Sequence, residues 1–394
     1  MKKISCFFFG LLSLNTILKS QPGSLDESFG AGGKVINEAF TGYCNAIAEQ
    51  ADGKIITGGI LDAFKEDSTG IIIVRFNADG SLDENFGETG RVIAYKAEGG
   101  RAANVYAIAV QANCKIIICA TFIKRPDDID DVDVGLIRLN TDGTFDNSFG
   151  GNGVAIISIG KNDRVGDMAL QPDGKIIVTG TKGADENEAQ PIYIIRFLTN
   201  GELDESFGEN GIALAPEIID LRYVNPIVLQ TDGKILVGGE SFDSSYILVR
   251  FLPDGHIDST FDEDRDGVAS IKFEEIDLRY ADLYDITVQP DGKILAAGTG
   301  GYDLSRIAIA RFNSDGSVDS AFGDKPGYSI LAMDSGFARA SDVYTTDNNS
   351  ILLTGSYITG VNSNMAVVKY KDDGTLDSSF GENGLALGNL ISEG

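Results

Sequence analysis

The sequence predicts an all-β fold built from repeated four-stranded antiparallel sheets, on the basis of three observations. Three sequence blocks recur in a fixed order at intervals of 54 to 63 residues. The apolar runs between them are short, rich in β-branched residues and bounded by turn residues. No segment has the length and period of an amphipathic helix. Such a repeat is typical of the blades of a β-propeller, because the coils of the rival β-solenoid are shorter and lack two tight hairpins.

The three blocks are a linker, a turn and a strand end. The linker is close to D-G-S-L-D-x-S-F-G, and its first glycine falls at Gly23, Gly80, Gly143, Gly201, Gly255, Gly316 and Gly374. The turn, Q-x-D-G-K-I, starts at Gln50, Gln111, Gln171, Gln230 and Gln289, with a degenerate sixth copy over 346–351. The strand end is a basic residue that closes an apolar run, at Arg75, Arg138, Arg196, Arg250, Arg311 and Lys369.

Each repeat predicts four strands, which we name a to d. Strand a follows the linker, as at 33–36, and strand b ends at the glutamine, as at 107–111. Strand c follows the D-G-K turn, as at 175–178, and strand d ends in Arg-Phe, as at 71–76. Seven a strands and six each of the others make 25 strands, where six blades need 24 and seven need 28. The sequence therefore predicts six blades, with seven as the alternative, and closure by pairing of strands from the two chain ends.

The D-G-K turn predicts a hairpin whose glycine adopts positive φ. Cys114 replaces this glycine in the second copy and Asn349 replaces it in the sixth. Both should keep positive φ, at a cost of about 1 kcal/mol for the cysteine. They are interpreted as altered copies of a structural turn.

The motifs resemble those of the bacterial delta-60 repeat family, which is also described as a β-propeller domain of unknown function. The resemblance covers residues 22–388 and departs at Cys114, at Asn349 and at Asp262, which replaces the linker glycine of the fifth copy. It implies an exported propeller and supplies no assigned activity. Many such proteins carry a C-terminal sorting domain, which this sequence does not show.

The N-terminus predicts export. A basic start, Met1-Lys2-Lys3, precedes an eleven-residue apolar run, which fits a signal peptide over 1–20 and is too short to span a membrane. Residues 21–394 are then one propeller domain, secreted or at the cell surface of a bacterium, or periplasmic, and we expect a monomer. Three cysteines would remain, which excludes a complete set of disulfides.

Composition excludes several functions. The formal net charge is −27, which repels nucleic acid and anionic lipid. The single histidine, His256, is interpreted as a surface residue, and it rules out sites that need several imidazoles. The recurring aspartates and basic residues are interpreted as structural, with the aspartate pairing with turn amides or with the arginine of the preceding strand. Each linker phenylalanine is expected to anchor the linker in the core.

One segment breaks the repeat in a way that suggests calcium, the one cofactor considered. Asp262, Asp264 and Asp266 precede Gly267, in the spacing of the first half of a calcium loop. Phe273 occupies the place where that loop has a bidentate glutamate. Simple solvation of an acidic loop is the alternative.

Function is placed at the ends of the strands that carry the a–b and c–d connections, because these loops are irregular. Five a–b loops contain an arginine that could form an anion site: Arg101, Arg164, Arg222, Arg279 and Arg339. The alternative is that acidic neighbours such as Asp220 and Asp277 neutralise them. The predicted function is a scaffold that binds an unknown protein or glycan at the cell surface. The other class is a propeller hydrolase or lactonase with a carboxylate or calcium site at the channel mouth, and the shortage of catalytic residue types favours the scaffold.

Overall fold

The computed structural model describes residues 23–36, 42–61, 68–98, 104–125, 128–160, 163–182, 191–215, 221–241, 243–273, 281–300, 306–333, 336–359 and 362–389. The predicted signal segment, 1–20, lies outside them. Every regular element among the described residues is a β-strand, and there are 24. None of them forms a helix that could cross a membrane.

The strands form six sheets, which we call blades one to six. Blades one to three contain β1 (Gly42–Glu49), β2 (Ile55–Leu61), β3 (Ser68–Phe76), β4 (Arg91–Glu98); β5 (Val105–Val110), β6 (Ile116–Arg125), β7 (Asp128–Leu139), β8 (Val154–Ile157); and β9 (Arg164–Leu170), β10 (Ile176–Thr181), β11 (Ile192–Phe197), β12 (Ile212–Leu214). Blades four to six contain β13 (Leu221–Leu229), β14 (Ile235–Ser241), β15 (Ser245–Phe251), β16 (Val268–Lys272); β17 (Leu283–Val288), β18 (Ile294–Thr299), β19 (Arg306–Phe312), β20 (Tyr328–Ala332); and β21 (Phe337–Thr345), β22 (Ile351–Thr359), β23 (Asn362–Tyr370), β24 (Leu385–Asn389).

Each blade is an antiparallel meander of four consecutive strands. The prediction of an all-β, six-bladed β-propeller with four-stranded blades is confirmed. The described chain forms two compact units: Glu27–Ile219 holds blades one to three, and Asp220–Gly394, together with residues 23–26, holds blades four to six.

The predicted closure by pairing of strands from the two chain ends is wrong. Each blade runs b, c, d and then the a strand of the next repeat, so β24 completes blade six from its own end of the chain. The physical reason is the linker, which turns back onto strand d: Asp83 N–H donates to Arg75 O at 3.0 Å, and Arg75 N–H donates to Gly90 O at 3.1 Å. Residues 33–36 belong to none of the six sheets, and Lys34 forms an isolated bridge to Gly30.

Burial follows position in the blade. The central strands β10 and β18 are buried at every residue, because neighbouring sheets cover both faces. The outer strand β16 alternates between buried and exposed positions, as one-sided strands do. In this way the sequence distinguishes continuous apolar runs from alternating ones.

The core lies between successive blades. Ile56 and Ile73 of blade one pack with Ile108 and Ile118 of blade two in one buried cluster. Equivalent clusters join blade two to three, four to five, and five to six. Burial of each such side chain contributes roughly 1.5 to 3 kcal/mol, so stability resides in the contacts between neighbouring sheets. Cys44, Cys114 and Cys119 are free thiols, so these contacts act without a disulfide among the described residues.

The sequence predicts an irregular c–d loop over 121–132 in the second copy, but most of this segment is strand. β6 extends to Arg125 and β7 starts at Asp128, with Thr121 paired to Val134 and Phe122 to Asp133. The β-branched and aromatic residues at 121–123 favour an extended pairing, which the acidic composition of the following residues concealed.

Both substituted turn positions keep positive φ, as predicted: φ is 63° at Cys114 and 61° at Asn349, against 86° at Gly174. The turn geometry therefore persists without glycine, and each L-residue bears the steric cost of the left-handed conformation.

We predict that Cys114→Gly stabilises the protein by about 1 kcal/mol, because glycine removes the clash of Cβ with the following carbonyl. The midpoint of denaturant unfolding measures this change. The matched control is Gly174→Ala at the same turn position, which should lower stability by about 1 kcal/mol. A lower midpoint for Cys114→Gly would show that the cysteine contributes contacts that outweigh the strain.

Candidate functional site

The charged residues of the repeat form a contact between blades that we call the clasp. In blade one, Arg75 Nε donates to Asp83 Oδ2 at 2.8 Å, and Lys54 Nζ donates to the same oxygen at 2.8 Å. Arg75 Nη1 donates to Thr141 O in blade two at 2.5 Å. The guanidinium carbon lies 4.4 Å from the centre of the Phe86 ring, which is fully buried. One arginine thus holds its own linker and the next blade together.

The clasp recurs with the repeat. The ion pairs to Asp146, Asp204, Asp258 and Asp319 each involve one arginine and one lysine. In blade six Lys369 pairs with Asp377 at 2.8 Å, and Ser350 stands where the other blades have the turn lysine. The structural interpretation of the recurring aspartates, basic residues and phenylalanines is confirmed.

The clasp determines the protonation of its aspartates. Burial alone would raise the pKa of Asp258, but hydrogen bonds from Thr260 and the nearby Lys234 and Arg250 lower it to about 2. The same opposing influences lower the pKa of Asp146. These carboxylates remain charged at neutral pH and are committed to the fold.

The linker glycine makes a second contact between blades. Gly87 N–H donates to Asp142 O of the next blade at 2.8 Å, and φ at Gly87 is 55°. A β-carbon at Gly87 would lie 2.2 Å from Arg91 O. Asp262 occupies the equivalent position with φ 66° and donates its N–H to Asp315 O at 2.6 Å. Its loop to Gly267 has two more residues than the loop from Gly87 to Gly90, which accommodates the side chain.

The three candidate calcium ligands are placed in this loop. Asp262 Oδ1 accepts from Glu263 N–H at 2.7 Å, Asp266 Oδ1 accepts from Val268 N–H at 2.8 Å, and Asp264 is exposed. Within the described ranges, no group of three or more His, Cys, Asp or Glu residues is placed to hold a metal ion. Calcium binding by Asp262, Asp264 and Asp266 stays a prediction.

His256 is a surface residue, as predicted. Its side chain is 73% exposed, and Nδ1 lies 3.2 Å from Asp254 Oδ1.

The five candidate arginines are described unequally. Arg101 and Arg279 lie outside the described residues, and only the backbone of Arg222 is described, in β13. Arg164 is exposed at the start of β9, and Arg339 is exposed in β21. The guanidinium carbon of Arg339 lies 4.8 Å from the centre of the Tyr284 ring. Of these five, Arg339 therefore has the best-defined surroundings.

A polar cluster in blades four to six lies at the strand ends that face away from the D-G-K turns, and the sequence did not predict it. Tyr284 Oη donates to Asp282 Oδ2 at 3.1 Å, and the buried Tyr246 Oη donates to Thr299 O at 2.9 Å. The pKa of Tyr246 lies well above its usual value. Burial is the main cause, and the electrostatic influence of Asp282, Tyr284 and Glu240 adds to it. Burial and the Asp282 carboxylate likewise raise the pKa of Tyr284 to about 12, although Arg339 opposes the shift.

A break in the repeat could have indicated this cluster. The residue seven positions before the motif glutamine is Tyr43, Asn104, Arg164, Tyr223, Asp282 or Arg339 in the six copies. Strand b also carries a β-bulge near this point, as between Leu283 and Asp285. Bulges redirect side chains and are common beside functional sites.

We predict that Asp146→Asn lowers the free energy of unfolding by about 3 kcal/mol, because it leaves Arg138 and Lys115 beside a neutral group in a buried clasp. Denaturant unfolding measures this loss. Asp142→Asn is the matched control, because that carboxylate is exposed and hydrogen-bonds Thr144 of its own turn, and it should change stability by less than about 0.5 kcal/mol. Equal effects would contradict a buried clasp.

We also predict that stability falls with acid. Because the pKa of Asp258 is about 2 when folded and about 3.9 when unfolded, its contribution is fully present above the unfolded value. The contribution is lost as pH falls through the folded value, since the unfolded state then binds more protons. Unfolding midpoints between pH 2 and pH 7 test this. Asp258→Asn should make the fall of the unfolding midpoint at low pH less steep. An unchanged fall would show that other groups cause the loss of stability in acid.

The fold and the clasp agree with a comparison of sequence families. The family described as "Domain of unknown function (DUF5122) beta-propeller" matches residues 50–86, 115–149, 171–207, 230–261, 289–322 and 347–380. Each matched segment runs from the region of the D-G-K turn to the linker, which is the part of the repeat that forms the clasp.

The chain was also compared with curated proteins and with solved structures. No curated protein matches the sequence. The chain is similar to a solved protein of unknown function from Dyadobacter fermentans DSM 18053, with 13% identity over 82% of this chain and 93% of that one, and a TM-score of 0.47. It is also similar to the PQQ-bound aldose sugar dehydrogenase of Streptomyces coelicolor, with 14% identity, coverage of 85% and 96%, and a TM-score of 0.46. These likenesses carry no argument about activity.

The family match covers more than half of the chain. The chain therefore belongs to the DUF5122 β-propeller family.

Proposed function

We propose that this propeller is a binding scaffold without catalytic activity, which recognises a protein or glycan partner through the strand ends that carry the a–b and c–d connections. One observation carries the proposal: the two ends of each blade use their polar residues differently. At the end with the D-G-K turns and linkers, the repeated charged groups are engaged in the clasp. At the other end, the polar groups differ from blade to blade.

The clasp supports a structural role for the repeated end. Asp83, Asp146 and their counterparts each accept from a buried arginine within 2.6 to 2.8 Å. A carboxylate already bound by two cations has little capacity to act as a base or nucleophile, because its pKa is lowered. Catalysis at this end would require these residues to leave the contacts that join the blades.

The opposite end supports recognition. Asp282, Tyr284 and Arg339 come from the starts of two successive b strands. The residue types at these positions change from copy to copy, although Tyr106 and Arg164 repeat the tyrosine and the arginine in copies two and three. Binding functions of repeat proteins are placed where the repeats differ, since a rigid framework can present variable residues without loss of packing.

We propose further that the protein is exported to the cell surface or medium as a monomer, and that the finer family assignment is the delta-60 repeat group. The basic start and apolar run of residues 1–20 support export, and the three repeated motifs support the assignment. Mass measurement of protein recovered from a bacterial culture medium tests export. Loss of about the first 20 residues is expected, and retention of an uncleaved chain in the cytoplasm would contradict it.

We predict that the double variant Arg222→Ala/Arg279→Ala reduces retention of the protein on acidic glycans and on bacterial surface extracts, while its thermal midpoint stays unchanged. The reason is that an arginine pair that binds an anion is not part of the clasp. The control is Arg265→Ala/Lys371→Ala, which removes the same charge from exposed positions at the clasp end.

Two results would contradict the scaffold. A lower thermal midpoint with unchanged retention would make Arg222 and Arg279 structural. The second result is hydrolysis of an ester or lactone by the unmodified protein. If this activity disappears when a carboxylate at the a–b and c–d ends of the strands is changed to an amide, the hydrolase is favoured.

A further inference from the structure

We propose that Phe337 and Arg339, on strand β21 of blade six, form a binding site for a carbohydrate that carries an isolated uronate group. Arg339 would bind the sugar carboxylate, and the Phe337 ring would pack on the C–H face of the sugar. This inference rests on the proposed scaffold function and names a ligand for it.

Arg339 has no carboxylate partner among the residues that the structure describes. Its guanidinium lies over the Tyr284 ring, with the carbon 4.8 Å from the ring centre. It forms no ion pair with any carboxylate in the described part of the chain. A guanidinium has five N–H donors, so donors remain for a ligand.

The surroundings hold Arg339 in place without neutralising it. The Tyr284 hydroxyl donates to Asp282 Oδ2 at 3.1 Å, which holds the ring on which the Arg339 guanidinium packs. Asp282 N–H lies 3.3 Å from Thr299 Oγ1, and Thr299 N–H donates to Asp282 O at 2.9 Å. The order Asp282–Tyr284–Arg339 therefore fixes the cation through a neutral residue. An oriented guanidinium loses less entropy when it binds a planar carboxylate.

Phe337 supplies the second half of the site. Its side chain is 56% exposed, although an exposed aromatic ring gives up the stabilisation that burial would supply. Residues 337–340 alternate between exposed and buried, so Phe337 and Arg339 lie on the same face of β21. Two positions along a strand are about 7 Å apart. A ring face and a cation at this separation can contact one sugar and its carboxylate together.

The negative net charge of the chain favours a ligand with a single negative charge over a polyanion. A net charge of −27 repels polyanions such as nucleic acids or polyuronates. One carboxylate within hydrogen-bond distance of Arg339 avoids most of this repulsion, since salt screens charges beyond about 8 Å. The ring favours a sugar over inorganic phosphate, because phosphate has no apolar face. These arguments together favour a neutral oligosaccharide that ends in one uronate.

The test is calorimetric titration of the full chain with a disaccharide of glucuronate and a neutral sugar, and with its methyl ester. The ester keeps the ring and removes the charge, so we expect it to bind at least tenfold more weakly. Arg339→Gln and Phe337→Ala should each weaken binding of the acid at least tenfold. Arg265→Gln, an exposed arginine at the clasp end, should leave it unchanged, and all three variants should keep the thermal midpoint.

Several outcomes would overturn the site. These are no binding of the acid, equal binding of acid and ester, unaltered binding by Arg339→Gln, or equal displacement by acetate or phosphate. If the disaccharide fails while retention on surface extracts still depends on Arg222 and Arg279, the uronate site alone is wrong. If neither ligand class is retained, the scaffold proposal fails with it.

Discussion

The arginine that ends strand d in blades one to five is the group on which the packing of successive blades within each unit depends. Within each unit it donates to the linker aspartate of its own blade and to a turn carbonyl of the next, as Arg138 does to Asp146 and to Thr199 O. Desolvation of the guanidinium is costly. The carboxylate, the carbonyl and the ring of Phe149 offset that cost together. Because one cation serves two blades, neither blade can shift without exposing a buried charge.

This dependence explains why the repeat motif is so regular. The aspartate and the phenylalanine contact the arginine, the lysine after the D-G turn pairs with the same aspartate, and the glycine contacts the next blade. Blade six shows how the set can change together, since Lys369 replaces the arginine and Ser350 stands in place of the turn lysine. The single remaining cation still pairs with Asp377. The arginine of the clasp can thus be replaced by lysine where the turn lysine is also replaced, because one cation still pairs with the aspartate.

The sequence was sufficient to predict the structural features that recur in every copy of the repeat. Strand order, blade number and the positive φ at Cys114 and Asn349 were predicted from motifs that recur six or seven times. The assignment of strands to blades did not follow, because a repeat has no intrinsic starting point and a strand fits either neighbour until the linker hydrogen bonds are known. The extent of β6 and β7 was also missed, because acidic residues such as Asp130 and Asp133 resemble a loop when their partners across the strand pair are unknown.

The candidate site was predicted in part for a related reason. Arg339 was identified from its place in an a–b connection, but Tyr284, whose ring it contacts, lies in the preceding copy and the neighbouring blade, as does Asp282, which accepts from the Tyr284 hydroxyl. A motif within one copy cannot show a pair of this kind. A comparison between copies can, because Tyr106 and Arg164 occupy the same positions, five and seven residues before their glutamines, in copies two and three. Residues at the start of strand b in one copy therefore form contacts with residues at the start of strand b in the next copy, as Tyr284 and Arg339 do.

The two ends of a blade are under different constraints, and this difference allows a symmetric fold to carry an asymmetric site. At the clasp end, a change of charge disturbs two blades. At the start of strand b, the backbone bulges and the side chains of residues such as Phe337 and Arg339 face solvent, so substitutions there cost little packing energy. The carboxylates that could neutralise an arginine are largely committed elsewhere: those of the clasp are bound to buried cations, and Asp282 is bound to a tyrosine hydroxyl. An arginine held over a neutral ring in an acidic protein is then a local cation, and the ligand that we propose for it is an anion small enough to avoid most of the charge of the whole chain.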